Sequence, residues 1–550
     1  MLHTVKKVIL YPLFLPAAWF LPFSAFPQGS ASSLKDKQKL SKAKALFQEA
    51  NYNGVLYHLE PLLKKWPDNA EVHYYAGRSN LELRNYRDAL DQLQRVVQSG
   101  SKKFKDKAFW YGRAWQQMHE PDSALAWFGR YKSMLGKRGK DFHNVDYFVL
   151  QAENFKKFRA QPVQVQYRRL GQEINTEFEE ACPTINAEGN VLVFTSRRPT
   201  TTGGGRDPFD LKYFQDIYIS RRDSQKGQWL EAEPLKAVNS PEHEANMNIS
   251  PDGTWLFIYK NIKGKTGSGD IWVSREKNGE WTRAREFEGP FNSSYFETSA
   301  ALSPDGKTLY FISERPDGKA QGNGDIWACD RVSRREWGKP YNLGPTINTP
   351  HDEISVWMHP NGRTLFFASK GHNSMGGYDI FKTEKKDGKW SPPINLGYPI
   401  NTPDDEIHFT VTADGKTAYL ASRREKDENE LNIYEFDLSQ YELASPAGMN
   451  EPEKGLVKGS GVLSVIKGQV LGGGKPVQAE IIFLDEKSGK EVLRIDSDEE
   501  GRFFATLEGG RRYKVLVSAE GFAPFEESVY LSKKEGPQPF SLQRNFLLSR

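Results

Sequence analysis

The residues that could support acid–base or metal chemistry form two short clusters of histidines and carboxylates. One is His351, Asp352 and Glu353, and the other combines Asp404–Glu406 with His408. Both follow turn-forming segments, where polar side chains are expected, and neither has the spacing of a metal site. No Gly-x-Ser-x-Gly or His-Glu-x-x-His sequence accompanies them. The sequence therefore predicts no catalytic residues, no metal site and no cofactor, and we expect the chain not to be an enzyme.

A glutamate recurs in five sequence units, each time five residues after an asparagine. The five are Glu180, Glu244, Glu297, Glu353 and Glu406. Two interpretations are open, a ring of carboxylates that binds a cation or basic ligand, or an architectural role. In the architectural role, each carboxylate accepts hydrogen bonds from a neighbouring unit. Because a residue required in every unit usually serves the unit itself, the sequence favours the architectural role.

A feature that occurs once is a better candidate for function, and the clearest is the long loop Pro199–Gln215. Its candidate binding residues are Thr202, Gly204, Arg206 and Asp207. The loop lacks the Gly-Lys-Ser/Thr ending of a phosphate-binding loop, so no nucleotide is expected there.

The first elements that position candidate residues are helices in residues 35–160, where apolar residues have helical spacing and repeat. Tyr52, Val55, Leu59 and Leu62 are followed 34 residues later by Tyr86, Ala89, Leu93 and Val96. This period, with Trp66-Pro67 ending the first unit, resembles tetratricopeptide repeats. The resemblance implies three helix pairs and a capping helix near residues 142–159. Small residues at Ala43, Gly77 and Gly112 would lie where paired helices touch.

The same resemblance places Lys44, Arg78 and Arg113 at one repeat position, on the helix face that lines a concave groove. Three aligned cations favour an acidic segment or a C-terminal carboxylate of a partner, with Tyr74 and Phe109 beside them. The alternative is three solvated surface charges. Residues 35–160 contain 24 Lys/Arg against 14 Asp/Glu, whereas residues 161–550 contain 49 against 57. Positive charge is therefore concentrated in the helical segment, which suits acidic partners.

A second set of elements is predicted in residues 163–438, where a strand-rich unit occurs five times. The units begin at Asn175, Asn239, Asn292, Asn348 and Asn401, and each has a glycine fourteen residues later. The turn, an apolar run and an Asp/Asn-Ile-aromatic triplet recur in order, which indicates short strands. This order resembles the TolB-like (PD40) family and implies a five-bladed β-propeller. Val163–Leu170 alternates like a strand and is predicted to complete the last blade, which closes the ring.

The end of the chain predicts a third domain. A Pro- and Gly-containing linker at residues 439–460 precedes residues 461–550, where apolar residues alternate with period two. The succession resembles a carboxypeptidase regulatory-like domain, which implies a small Ig-like β-sandwich. The two cysteines, Cys182 and Cys329, are too far apart in sequence for a metal-binding motif and are expected to be buried in strands. The predicted fold class is thus multi-domain, with a helical repeat array, a five-bladed propeller and a sandwich.

Residues 1–31 are predicted to be an export signal. Lys6 and Lys7 precede an apolar run that ends in small residues. The order of signal, helical repeats, propeller and sandwich resembles the envelope proteins of Bacteroidota typified by PorE, of the type IX secretion apparatus. That family usually adds an OmpA-like peptidoglycan-binding segment, which is not recognised here, so direct peptidoglycan binding is not expected.

The resemblance implies a non-catalytic periplasmic adaptor, associated with the outer membrane, that binds other envelope proteins and not nucleic acid. The alternative is a ligand-binding or hydrolytic propeller that acts on glycans or peptides at the mouth of its channel.

Overall fold

The structure is a computed structural model that describes residues 31–135, 140–207, 210–260, 269–333, 336–424, 430–443, 453–454, 462–534 and 538–550. Nearly all of the predicted signal at residues 1–31, and most of the predicted linker at residues 439–460, lie outside these described residues. Within the described ranges, none of the helices has both the length and the apolar character needed to cross a membrane.

The described chain has a helical segment followed by a large all-β region. The helices are α1 (Ala31–Gln48), α2 (Tyr52–Lys65), α3 (Ala70–Glu82), α4 (Tyr86–Gln98), α5 (Lys107–Gln117), α6 (Pro121–Leu135) and α7 (Val145–Ala160). The close approach of neighbouring helices explains the small residues. A Cβ atom on Gly77 would lie 2.7 Å from Leu93, and one on Gly112 would lie 2.8 Å from Phe128. The predicted helix contacts at these two glycines are confirmed.

The β region contains five antiparallel sheets, of four or five described strands each, between residues 166 and 437. After β1 (Gln166–Arg169), the first sheet has β2 (Glu180–Ile185), β3 (Val191–Ser196), β4 (Asp216–Arg221) and β5 (Glu233–Pro234). The second has β6 (Glu244–Ile249), β7 (Trp255–Lys260), β8 (Asp270–Lys277), β9 (Glu280–Trp281) and β10 (Arg285–Glu286). The third has β11 (Glu297–Leu302), β12 (Thr308–Ser313), β13 (Asp325–Ser333), β14 (Glu336–Trp337) and β15 (Tyr341–Asn342). The fourth has β16 (Glu353–Met358), β17 (Thr364–Ser369), β18 (Asp379–Lys386), β19 (Lys389–Trp390) and β20 (Ile394–Asn395).

The fifth sheet combines β21 (Ile407–Val411), β22 (Thr417–Ser422) and β23 (Asn432–Asp437) with β1, which precedes the first sheet in the chain. Strand β1 runs antiparallel to β23, with Gln166 opposite Asp437 and Arg169 opposite Tyr434. The prediction that this segment supplies the missing strand of the last unit is therefore confirmed.

The recurring asparagine joins each sheet to the one before it. In the fifth sheet, the Asn401 side chain accepts a hydrogen bond from Ile380 N (2.8 Å) and donates one to Ile380 O (2.9 Å). Asn175 makes the same two bonds with Ile433, which joins the first sheet to the last. The partners at the other three positions are also isoleucines, Ile217, Ile271 and Ile326. The five sheets are thereby linked in a closed order.

The remaining strands form two further sheets after the short pair β24 (Glu442–Leu443) and β25 (Glu453–Lys454). The strands are β26 (Leu463–Gly472), β27 (Lys475–Pro476), β28 (Glu480–Asp485), β29 (Glu491–Asp496), β30 (Arg502–Glu508), β31 (Arg511–Ser518), β32 (Phe525–Leu531), β33 (Phe540–Gln543) and β34 (Phe546–Leu548). One sheet is built around β26 and the other has the order β29-β28-β31-β32. Apolar residues of both sheets, including Ile466, Phe483 and Val515, share one buried core. We call residues 462–548 the C-terminal body.

Candidate functional site

Helices α1, α3 and α5 meet around the guanidinium of Arg78. This group lies 3.4 Å from the centre of the Trp110 ring and 5.2 Å from that of Phe47. One terminal nitrogen donates to Tyr74 Oη (3.1 Å), while Nε is buried and has no hydrogen-bond partner among the described residues. Stacking on aromatic rings holds the cation flat and fixes the direction of its donors. We call the face formed by α1, α3 and α5 the cation face.

Lys44 lies on the same face, but it is already paired. Its Nζ donates to Glu71 Oε1 at 2.9 Å, and Lys103 Nζ lies 2.7 Å from Glu71 Oε2. The Glu71 pairing raises the pKa of Lys44, and the two lysines lower the pKa of Glu71 against the effect of its burial. The repeat spacing aligned the cations but did not reveal this pairing, because Lys44 and Glu71 are 27 residues apart and do not share a repeat position.

The other predicted partner-binding residues differ in their surroundings. Arg113 donates a hydrogen bond to Gln116 in its own helix. Tyr74 is 8% exposed and donates to Asp106, with Phe104 stacked on its ring at 4.0 Å. Phe109 is only 1% exposed and packs in the core against Phe128. Arg78 and Tyr74 are therefore brought together by the fold, whereas the side chain of Phe109 is not presented to a partner.

The five recurring glutamates are buried and cap turns. Glu180 accepts hydrogen bonds from Thr176 N (3.0 Å), Thr176 Oγ1 (2.7 Å) and Ser196 Oγ (3.0 Å). Each of the other four likewise accepts from the backbone and hydroxyl of the Ser or Thr four residues before it. The architectural interpretation explains these contacts, but the hydroxyl and amide donors lie within one unit and not in a neighbouring unit. Each Glu backbone does reach the previous sheet, as from Glu406 N to Tyr378 O (2.7 Å).

Four of these carboxylates have a cation beside them and one does not. Ion pairs join Glu180 to Arg198, Glu244 to Lys260, Glu297 to Arg315, and Glu406 to Arg424. Glu353 has no such partner in the described part of the chain, because Gly371 occupies the position of those arginines in the fourth sheet. Burial raises the pKa of Glu353 well above its usual value, and the negative charge of Asp325 adds to this effect.

In the long loop, Thr202 is held by the first residue of the next strand. Its backbone N and its Oγ1 donate to Asp216 Oδ2, at 2.8 and 2.7 Å. Gly204 has a positive φ of 65°, which its lack of a side chain permits. Further along, Arg206 donates to Leu211 O (2.9 Å) and Asp207 N to Lys212 O (2.7 Å). These hydrogen bonds, from Thr202 to Asp216, from Arg206 to Leu211 and from Asp207 to Lys212, stabilise the loop.

The histidine–carboxylate clusters contact helix α7 and the centre of the sheets. Tyr147 of α7 stacks on His351 with ring centroids 4.4 Å apart, and its hydroxyl donates to Lys370 O (2.7 Å). Burial lowers the pKa of His408 to about 4, so this ring is neutral at neutral pH. In the described residues, no group of three or more His, Cys, Asp or Glu could hold a metal ion.

The centre of the five sheets is filled by side chains of the first strands. Asn246 donates to Thr184 Oγ1 (2.8 Å), and Ser355 Oγ accepts from His408 N (3.1 Å). A cavity of about 10 Å³ remains beside Thr184 and Trp357, which is the size of a single water molecule. This cavity is too small for a glycan or a peptide.

A much larger cleft, of about 1600 Å³, lies between the C-terminal body and the second and third sheets. Its wall contains two arginine–tryptophan pairs, with Arg275 over Trp255 at 4.4 Å and Arg331 over Trp337 at 4.8 Å. The sequence analysis did not identify these arginines. Sequence spacing within one domain does not indicate that the C-terminal body lies beside this wall.

Comparison with known proteins places the chain in no established family, and no curated protein is similar. Similar solved structures include an O-GlcNAc transferase from Thermobaculum terrenum, at 17% identity and TM-score 0.21, covering 23% of this chain and 24% of that one. An α-L-arabinofuranosidase from Lactobacillus brevis matches at 15% identity and TM-score 0.32, over 51% of this chain and 95% of that one. An α-L-arabinanase from Penicillium chrysogenum matches at 10% identity and TM-score 0.31, over 51% of this chain and 98% of that one. The chain thus spans about a quarter of the transferase.

These similarities correct one expectation from the sequence. Because the similar structures are enzymes, the prediction that this chain is not an enzyme is wrong. The physical reason is that a sequence search for known catalytic motifs cannot exclude sites built from residues distant in sequence. With TM-scores of 0.32 or less, the similarities assign no reaction and no substrate to this chain.

Proposed function

We propose that this chain is a periplasmic adaptor that binds other envelope proteins, as the PorE-like resemblance implies, and that it belongs to a type IX secretion apparatus. In this proposal the helices form a tetratricopeptide array, the five cyclically linked sheets a five-bladed β-propeller, and the C-terminal body an Ig-like β-sandwich. The 34-residue period and the asparagine links that join the last sheet to the first support this architecture.

The observation that carries the proposal is the Arg78 guanidinium on the cation face. It is fixed between the rings of Trp110 and Phe47, and its buried Nε has no hydrogen-bond partner in the described part of the chain. A planar guanidinium held in this way binds a carboxylate with little loss of side-chain entropy. The partner is therefore an acidic segment or a C-terminal carboxylate, and Arg78 makes the charged contact.

Replacing Arg78 by glutamine is expected to weaken partner binding about tenfold, the effect of losing one charge-assisted hydrogen bond. The measurement compares capture of envelope proteins by the wild-type and variant chains, with competition by a peptide that ends in a free carboxylate or in an amide. Arg95→Gln is the control, because Arg95 is half exposed and pairs with Asp91 within α4. Equal capture by all three chains would contradict the proposal, whereas equal competition by both peptides would assign the contact to an acidic side chain of the partner and not to its C-terminal carboxylate.

The proposed location rests on the lysine-led apolar run near the start of the chain. We expect a signal peptidase to cut between residues 22 and 33 during export. N-terminal sequencing of the protein purified from cells that produce it decides this, and a mature chain that begins at Met1 would rule out cleavage.

A further inference from the structure

One turn in each of the five sheets occupies an equivalent position, between β2 and β3, β6 and β7, β11 and β12, β16 and β17, or β21 and β22. We call these five turns the turn face, which comprises residues 186–190, 250–254, 303–307, 359–363 and 412–416. Neighbouring turns approach each other, since Ala187 N donates to Pro251 O (2.9 Å) and His359 Nε2 lies 3.3 Å from Thr412 O. Because the sheets are linked in a closed order, the turns surround one end of the space at their centre.

The C-terminal body contacts the turn face at two turns that are not neighbours. Lys467 Nζ donates to Glu188 Oε2 (2.6 Å) in the turn of the first sheet. Thr506 Oγ1 donates to Pro360 O in the turn of the fourth sheet. The turns of the second and third sheets line the large cleft, which the C-terminal body also lines. The body therefore extends across this end of the central space.

The burial of Thr506 results from this contact and not from the core of the C-terminal body. Its neighbours Ala505 and Leu507 in β30 belong to that core. Because side chains alternate along a strand, Thr506 faces the other way, yet it is only 8% exposed. A side chain at position 506 is therefore covered when the body is docked and becomes accessible when it lifts.

The contacts that hold the body in place are largely ionic. Besides the pair at Lys467, Lys277 Nζ donates to Glu500 Oε1 (3.3 Å), and Arg275 lies 3.6 Å from Asp498. The six side chains of these three ion pairs are 14–45% exposed, so water and salt reach them. Partly exposed ion pairs are individually weak and are screened by dissolved ions. The docking of the body therefore depends on ionic strength.

The apolar cores on the two sides of this contact are separate. The core of the C-terminal body consists of its own residues, and the cluster that includes Trp255 and Trp337 consists of residues from the second and third sheets. The cleft of about 1600 Å³ remains between them. Polar, incompletely packed contacts between domains allow relative motion. The body can therefore lift without exposing either core.

We propose that the C-terminal body is a lid over the turn face, that its ion pairs hold it closed, and that it opens reversibly as ionic strength rises. Opening uncovers the five turns and the end of the central space that they surround. The lid thus controls access to a surface that is distinct from the cation face.

The test measures how fast a maleimide labels Thr506→Cys in the full chain, with peptide mapping to separate this thiol from the buried Cys182 and Cys329. Adding Lys467→Glu is expected to raise the labelling rate at least tenfold, because an attraction to Glu188 becomes a repulsion. Raising sodium chloride from about 50 to about 500 mM is expected to raise the rate as well, since it screens the ion pairs.

Three controls accompany this measurement. Ala505→Cys reports unfolding of the body, because Ala505 is 1% exposed in its core. The charge swap of Lys467→Glu with Glu188→Lys is expected to return the rate at position 506 to that of the parent. Lys514→Glu reverses a charge that pairs with Glu526 (2.7 Å) inside the body, and it is expected to leave the rate unchanged.

Faster labelling at position 506 in Lys467→Glu and in high salt, with recovery in the charge swap and no change at position 505, would support the lid. A rate that responds to neither salt nor Lys467→Glu would overturn it, and so would a parent rate equal to that of the unfolded chain. Acceleration without recovery in the charge swap would also overturn it. Equal acceleration at positions 505 and 506 would do the same, because the body would then be unfolding and not lifting.

Discussion

Replacing Arg168 by proline is expected to lower the free energy of unfolding of the five-sheet region by about 3 kcal/mol. Leu170 N donates to Ile433 O at 3.1 Å, and Arg168 lies opposite Glu435. In an antiparallel pair the hydrogen-bonded positions alternate, so the Arg168 amide also faces β23. Proline removes this donor and leaves the Glu435 carbonyl without its partner. The measurement is urea unfolding followed by near-ultraviolet circular dichroism.

The matched control is Arg168→Ala, which keeps the amide. The Arg168 side chain binds Glu435 through two nitrogens, at 3.0 and 2.7 Å, but it is 66% exposed. An exposed ion pair contributes about 0–1 kcal/mol, so alanine is expected to change stability little. We also expect Arg168→Pro to aggregate, because β23 becomes an unprotected sheet edge. If proline and alanine destabilise equally, β1 does not hold the ring closed.

The closing strand could be predicted from the sequence because the strand-like segments of each unit can be counted. The fifth unit lacked a strand, and Val163–Leu170 alternated in the way a strand does. The five turns after the asparagines could also be predicted, because a turn residue with positive φ is usually glycine and a glycine recurs at this position. Gly189 and Gly415 have φ values of 67° and 70°. Repetition made these features visible, because each was present five times.

The candidate sites were harder to predict, because they depend on residues that occur once. Glu71 pairs with Lys44 and Lys103, and neither pair has the 34-residue spacing of the repeat that aligned the cations. Phe109 was placed beside the cations, but its ring is buried in the core against Phe128. The cleft containing Arg331 requires the C-terminal body to approach the third sheet, and no local pattern encodes such an approach.

Replacing Glu297 by glutamine is expected to lower the free energy of unfolding by about 3 kcal/mol at neutral pH, because it removes the carboxylate that pairs with the partly buried Arg315. The two groups are 3.3 Å apart, and their side chains are 0% and 14% exposed. Glu353→Gln is the matched control, because Glu353 accepts equivalent hydrogen bonds from Thr349 and Ser369 without a cation. Glu353→Gln is expected to lower the free energy of unfolding by about 1 kcal/mol, since it changes hydrogen-bond donors and acceptors but breaks no ion pair.

The buried carboxyl group of Glu353 also makes the stability of the protein depend on pH. Burial raises the pKa of Glu353 well above its usual value, so the folded protein keeps this proton when the unfolded chain has lost it. The stability from this group is complete below the unfolded pKa of about 4.3 and is lost as pH rises through the folded pKa. Wild-type stability from Glu353 therefore increases on acidification from pH 8 to pH 5, and Glu353→Gln removes that increase. Urea unfolding at these two pH values measures the difference. If the free energy of unfolding changes equally between pH 8 and pH 5 in wild type and in Glu353→Gln, Glu353 is ionised in the folded protein. The smaller effect of Glu353→Gln than of Glu297→Gln would then need a cause other than the missing ion pair.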